Sequence, residues 1–194
     1  RLSVYVFTFL FGAVIGSFLN VVIYRLPRGQ SLVRPGSACP ACGHGLGVPD
    51  LVPILSYIFL RARCRYCRAA ISWQYPLVEF LTGASFCLLM QRYGPGLAFA
   101  GLAVYAAMLI AIAGIDLEHM IVPDSLSLPG ILLGLLLGLA RGRVVSALLG
   151  AAVGGGFLLV IYFATLILLK KEGLGLGDAK LLASIGAFLG WEGA

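Results

Sequence analysis

Three stretches of this chain, Leu2–Ile23, Gly96–Ile115 and Val144–Leu169, contain no acid and no base. Each reaches the length a helix needs to cross a bilayer, about 20 residues within a range of roughly 17 to 25. Two further runs, Leu77–Met90 and Leu126–Ala140, become long enough only if helix continues into Ser72–Pro76 and into Asp124. A last run, Leu181–Leu189, is expected to be cut off by the end of the sequence. Composition excludes a soluble globular domain: 60% of the 194 residues are hydrophobic and 11% are charged, against about 25% charged in ordinary soluble proteins, and mean hydropathy is +1.01. The expected fold class is an all-α polytopic membrane protein, a bundle of five complete transmembrane helices and one incomplete, with a single sizeable loop outside it.

A cleavable signal peptide does not explain residues 1–23, because the run is longer than an h-region and no small-x-small cleavage site follows before Arg25. The chain begins with Arg1 rather than Met and ends at "WEGA", so residues beyond one terminus are expected. Orientation follows from the basic residues. Loop 25–75 holds seven arginines and segment 170–180 three lysines, whereas the other side has Arg1, Arg92, Arg141 and Arg143. The positive-inside rule makes the large loop cytoplasmic. Helix parity then brings segments 116–124 and 170–180 to the same face. The net charge of +6 is accounted for by topology and anionic headgroups, so nucleic acid is not an expected partner.

The large loop contains "CPACGH" and "CRYC", which is Cys39, Cys42, Cys64 and Cys67 in the order C-x2-C, twenty-one residues, C-x2-C. Two such knuckles supply four thiolates to a tetrahedral Zn(II) in a zinc-ribbon-like spacing. Disulfides compete, but a cytoplasmic compartment keeps thiols reduced. Four cysteines close the coordination sphere, which makes the zinc structural, and with few apolar residues in the loop the metal is expected to contribute most of its folding energy. His44 reads as a surface residue or an outer neighbour of the site rather than a fifth ligand, and Cys87 as a small hydrophobe within the second helix. Gly12 and Gly16, Gly130, Gly134 and Gly138, and Gly150 and Gly154 recur at four-residue intervals, the pattern of close helix packing. No glycine cluster opens a helix after a strand, so a dinucleotide fingerprint is absent.

Acids at membrane depth are costly and mark functional candidates. Asp116, Glu118, Asp124 and Asp178 lie in the two short cytoplasmic-edge segments. Asp124, after Pro123 and before an apolar helix, reads as an N-cap. Asp178 reads equally as an N-cap for a helix starting near Ala179 or as a functional acid. Asp116 ends an apolar helix, where the helix dipole disfavours a carboxylate. Taken together, Asp116 and Asp178 form a candidate acid–base pair sharing one proton, as in aspartic proteases. Asp116 is expected to hold that proton at rest and Asp178 to be the ionised base. Gly175 and Gly177 would permit close approach beside the acid.

The sequence resembles the bacterial prepilin leader peptidases/N-methyltransferases over nearly its whole length. The resemblance rests on "GSFLNVVIYRLPRG" (16–29), the paired knuckles, "YPLVEFLTG" (75–83), "IDLEHMIVPDSLSLPG" (115–130) and "GLGLGDAKLLASIGAFLGW" (173–191). It implies a G-x-G-D aspartic peptidase with Asp116 and Asp178 as the catalytic acids. It also implies an inner-membrane location and a prepilin or pseudopilin substrate cut after a glycine at the cytoplasmic membrane edge. The new N-terminal residue, usually Phe, is then methylated from S-adenosylmethionine. The resemblance assigns methyl transfer to residues 1–91, with Gly16, Asn20, Arg25, the zinc loop (27–75) and Glu79, and peptidase activity to residues 92–194. In this reading Glu79 holds the new ammonium group and Arg25 the donor carboxylate. Without the resemblance, Arg25 is a positive-inside anchor and Glu79 a helix-dipole partner. Family members usually continue through further helices after the G-x-G-D segment. The rival expectations are a peptidase lacking methyl transfer, a carboxylate-lined transporter or proton relay, and a membrane-anchored partner-binding module in which the acids are caps.

Overall fold

The computed structural model describes residues 2–169 and 175–193, so Arg1, Lys170, Lys171 and Gly173, which figure in the topology and motif readings above, lie outside the described residues. The chain order is α1 (Leu2–Arg25), a short 3-10 turn (Val48–Asp50), α2 (Leu55–Phe59), α3 (Gln74–Tyr93), α4 (Leu97–His119), α5 (Asp124–Ala140), α6 (Val144–Leu169) and α7 (Leu176–Leu189). Among the described residues there is no strand, only two isolated bridges in the loop after α1. Helix is what an apolar segment must form in lipid, since every backbone N–H and C=O has to be bonded within the segment.

The all-helical fold class holds, and the protein is a membrane protein. α1, α4 and α6 are each long and apolar enough to span. The expected count of five complete spans is not reached on those criteria. α3 has 20 residues but includes Gln74, Glu79, Gln91 and Arg92, and α5 has 17. Both helices start beyond their purely apolar runs, at Gln74 and Asp124. α7 is not cut off by the end of the sequence. It stops at Leu189 because Gly190 takes a left-handed φ of 76° and returns its amide to the Gly186 carbonyl at 2.8 Å, the usual role of glycine after a helix.

The chain divides into two compact units, Arg1–Gly114 and Ile115–Ala194, with the boundary inside α4. In the first, α1 and α3 run antiparallel with their backbones nearly touching. A methyl group added at Gly12 would lie 2.8 Å from the Gly83 Cα, and one at Gly16 would lie 2.6 Å from the Glu79 Cα. One step further along the same face, Asn20 Nδ2 donates to the Tyr75 carbonyl at 3.2 Å. Phe9 and Phe80 flank the crossing edge to face at 5.9 Å. The buried hydroxyl of Thr82 is satisfied within its own helix, donating to the Val78 carbonyl at 2.7 Å.

The second unit is built in the same way from α5, α6 and α7. Gly150 and Gly186 meet backbone to backbone, Gly154 meets the Leu182 carbonyl, and Gly134 abuts Ala187. The four-residue glycine spacing therefore serves close packing, where small residues let backbones approach in a solvent that supplies no hydrophobic drive between helices. Gly156, on the same helix as Gly150, has nothing within 4 Å of an added methyl. Alanine is the better helix former by about 1 kcal/mol, so local propensity favours Gly→Ala at both positions. Overpacking at Gly150 costs about 1–3 kcal/mol or more and reverses the sign there. Thermal unfolding in one detergent is expected to show Gly150→Ala destabilised and Gly156→Ala unchanged or slightly stabilised.

Candidate functional site

Asp116 and Asp178 both belong to the second unit and are both exposed at helix ends. Asp116 is in the last turn of α4, and its carbonyl accepts from the Met120 amide at 2.8 Å. Asp178 is in the first turn of α7. The N-cap there is Gly175, not Asp178, and the Asp178 amide returns to the Gly175 carbonyl at 3.1 Å. A carboxylate at this position meets the positive end of the helix dipole, whereas one at the C-terminus of α4 meets the negative end. The two acids thus occupy electrostatically opposite environments. Two contacts join the segments that carry them. A methyl group on Gly177 would come within 2.9 Å of Val122 Cβ, so the glycine is needed for the approach. Lys180 Nζ lies 2.6 Å from Asp124 Oδ1. Asp124 is therefore not the N-cap of α5, which is Pro123. It is the first helical residue and is held by Lys180. An exposed pair of this kind contributes little to stability but fixes where α7 begins relative to the 120–124 turn.

In the first unit the structure brings Gly16, Asn20 and Glu79 together at the α1–α3 crossing. Asn20 Nδ2 donates to the Gly16 and Tyr75 carbonyls, both at 3.2 Å. The buried Glu79 accepts the Ile54 amide at Oε2, 2.7 Å away. Arg25 is turned to the loop, where its guanidinium donates to the carbonyls of Ser31 (3.0 Å), Pro35 (2.7 Å) and Gly36 (3.0 Å).

The four cysteines gather, with all four Sγ atoms within 4.8 Å of one another and Cys39 Sγ 3.8 Å from Cys67 Sγ. A tetrahedral ion with metal–sulfur bonds of about 2.3 Å requires sulfur–sulfur edges of about 3.8 Å, so the cluster could hold a metal. The two knuckles are the same structure repeated. Cys39 N donates to His44 O and Gly43 N to Cys39 O; Cys64 N donates to Ala69 O and Arg68 N to Cys64 O. The fifth residue of each knuckle is left-handed, Gly43 at φ 71° and Arg68 at φ 61°. Amides of Cys67 and Tyr66 directed at Cys64 bring its thiol down to about 7. The Ala69 amide pulls Cys67 down too, but burial and the neighbouring sulfurs outweigh it and push that thiol up to about 11. Four thiols this close do not all ionise without a cation between them, which suits a metal site. His44 is outside the cluster and packs its ring 3.7 Å from that of Tyr66, linking the knuckles.

Sequence reasoning missed Asp50. It is the one acid of loop 25–75, which was the available signal. Its side chain is 5% exposed and accepts from Arg65 Nε at 2.6 Å, from the Gly47 amide at 3.2 Å and from Tyr66 OH at 3.4 Å. It ties the 3-10 turn to the second knuckle. The statement that the loop has few apolar residues also fails, because Val48–Leu60 holds Leu51, Val52, Ile54, Leu55, Ile58 and Phe59.

Residues 10–93 match the bacterial peptidase A24 N-terminal domain, and residues 103–194 match the type IV leader peptidase family. The chain is 45% identical to a prepilin leader peptidase/N-methyltransferase of Myxococcus xanthus over 96% of its own length and 56% of the relative's. It is 42% identical to the protein of that name from Dickeya chrysanthemi, over 94% of this chain and 74% of the relative. With the Aeromonas salmonicida protein it shares 39% identity, over 95% and 72%. The chain belongs to the prepilin leader peptidase/N-methyltransferase family. It spans little more than half the length of the Myxococcus member and about three quarters of the other two. No solved structure matches it.

The Arg65 hydrogen bond holds the Asp50 carboxyl below the usual carboxylate range. A depressed folded-state pKa contributes stability that is present above the unfolded value, about 3.9, and is lost as pH falls through the folded value. Carboxyl-carbon NMR is expected to give an Asp50 midpoint below about 3.9, rising in Arg65→Ala. Equal midpoints would show that the ion pair is not formed.

Proposed function

We propose that this chain is a membrane-embedded aspartic peptidase that removes the leader of type IV prepilins or pseudopilins and then N-methylates the new N-terminus. The observation that carries the reading is the pair of aspartates at opposite helix poles, Asp116 ending α4 and Asp178 beginning α7, within the part matching the type IV leader peptidase family. In this mechanism the Asp178 carboxylate takes a proton from water as its oxygen attacks the scissile carbonyl. Protonated Asp116 gives its proton to the carbonyl oxygen. Collapse of the tetrahedral species breaks the C–N bond and returns a proton to the leaving amine, freeing a leader carboxylate and a new amino terminus. A cytoplasmic-facing site in the bacterial inner membrane suits a precursor whose basic leader ends where its apolar helix enters the bilayer.

Methyl transfer is assigned to residues 1–91 and peptidase chemistry to residues 92–194, a division supported by family matches to 10–93 and 103–194. S-adenosylmethionine supplies the methyl group when bound. A carboxylate has about four lone-pair sites, so Glu79, accepting one backbone amide, keeps capacity for the new ammonium group. Gly16 and Asn20 position it by setting the α1–α3 crossing, and Arg25 acts by bracing the loop carbonyls. The cysteine cluster fits a structural Zn(II), which has no open position once Cys39, Cys42, Cys64 and Cys67 are bound.

Intact-mass spectrometry of a type IV prepilin incubated with the protein and S-adenosylmethionine is expected to show leader loss plus a methyl increment. Asp116→Ala and Asp178→Ala should each slow cleavage by about 10²–10⁴-fold. Unimpaired cleavage in either variant would remove that aspartate from the catalytic pair, and an unchanged substrate with the wild-type chain would favour the transporter or anchor readings. Metal analysis should find one zinc per chain, lost in Cys64→Ser together with methylation while leader cleavage persists. Loss of both activities would place the loop in the peptidase machinery.

A further inference from the structure

The apolar stretch Val48–Leu60, between the two knuckles, has no role in the chemistry above. Its outer face is unusually bare: Leu55, Ile58 and Phe59 are 48%, 61% and 80% exposed. They stand beside a shallow hollow of about 320 Å³ that includes Val52, Leu55, Phe59 and Leu60.

Depth and charge indicate what covers this face. Glu79, which holds the Ile54 amide, packs against Gly16, nine residues before the end of α1 at Arg25. At 1.5 Å per residue that is roughly 13 Å inside the helix end. A glutamate side chain is too short to cross that distance, so Ile54 is drawn below the level of Arg25, and α2 starts at the next residue. Following α2 in the sequence come Arg61, Arg63 and Arg68, all exposed. Asp50, the single acid of loop 25–75, is already paired with Arg65. Apolar side chains entering at the headgroup boundary with arginines beside them form the pattern of an interfacial membrane segment.

We propose that Leu55–Phe59 lies in the bilayer interface, with Leu55, Ile58 and Phe59 among the acyl chains and Arg61, Arg63 and Arg68 at anionic headgroups. The segment is then a second membrane anchor for the metal-binding loop. Cys64 follows it within five residues, and the Ile71 amide bonded to the Ala62 carbonyl at 2.8 Å clamps the base of the second knuckle to the anchor. The cysteine cluster is thereby held against the membrane face rather than hanging free on a tether. This inference does not depend on the catalytic assignments, only on α1 spanning the bilayer.

The test uses the whole chain in nanodiscs containing phosphatidylglycerol, with Trp73→Phe and Trp191→Phe removing the native tryptophans. Phe59→Trp in this background is expected to lose most of its emission to lipids brominated on the acyl chains and to be shielded from iodide. Val33→Trp, at an 82% exposed loop position, is expected to show the reverse. Quenching of Phe59→Trp by iodide and not by bromolipid overturns the proposal. So does shielding from iodide that appears only when an apolar peptide is added, which would make the hollow a peptide site. Adding Arg61→Glu and Arg63→Glu should weaken the bromolipid quenching; unchanged quenching would remove the headgroups from the account.

Discussion

Close backbone approach at glycine is the interaction on which both units depend. Lipid tails are as apolar as leucine, so helices gain nothing by hiding apolar surface from one another, and association rests on van der Waals contact and interhelical hydrogen bonds that weaken steeply with distance. Gly12, Gly16 and Gly83 bring α1 and α3 within that range, and Gly150, Gly154 and Gly186 do so for α6 and α7. In the first unit the same approach brings Asn20 to the Tyr75 carbonyl and sets Glu79 beside α1. Packing and polar placement are therefore one arrangement. A larger residue at Gly16 would displace the backbone that carries Glu79.

The loop after α1 solves a different problem. It has too little regular structure to fold around a core, and it is organised instead by polar contacts and a sulfur cluster: Arg25 on three carbonyls, Asp50 between the 3-10 turn and the second knuckle, and four cysteines that could hold a metal. The repeated knuckle geometry has a conformational cost in its second copy. Arg68 occupies the left-handed position that Gly43 fills in the first, and only glycine adopts it without strain. The ring contact of His44 with Tyr66 joins the halves, so the histidine serves the cluster from outside it.

The two aspartates illustrate how helix ends differentiate identical side chains. One carboxylate stands at the negative pole of a helix and the other at a positive pole. The contacts that hold their segments, Gly177 on Val122 and Lys180 on Asp124, lie beside Asp178 and in the turn that follows α4. The approach of Val122 is what requires glycine at 177, directly before Asp178.

The amino-acid sequence by itself determined the helical membrane class, because the length of an apolar run is a one-dimensional property and lipid leaves the backbone no other local solution. It also determined the pairing of the cysteine knuckles, since four soft ligands at that spacing have few other uses, and the glycine faces, which repeat at the helical period. It did not determine partners. Asn20 with Tyr75, Ile54 with Glu79 and Lys180 with Asp124 are 55, 25 and 56 residues apart, and each pair exists only because tertiary packing brings distant segments together. Nor could it decide that Asp124 is an ion-pair partner rather than a cap, that Gly175 and not Asp178 caps α7, or that the apolar residues between the knuckles face outward. Those outcomes depend on which surfaces the tertiary packing leaves covered, and no local preference encodes that.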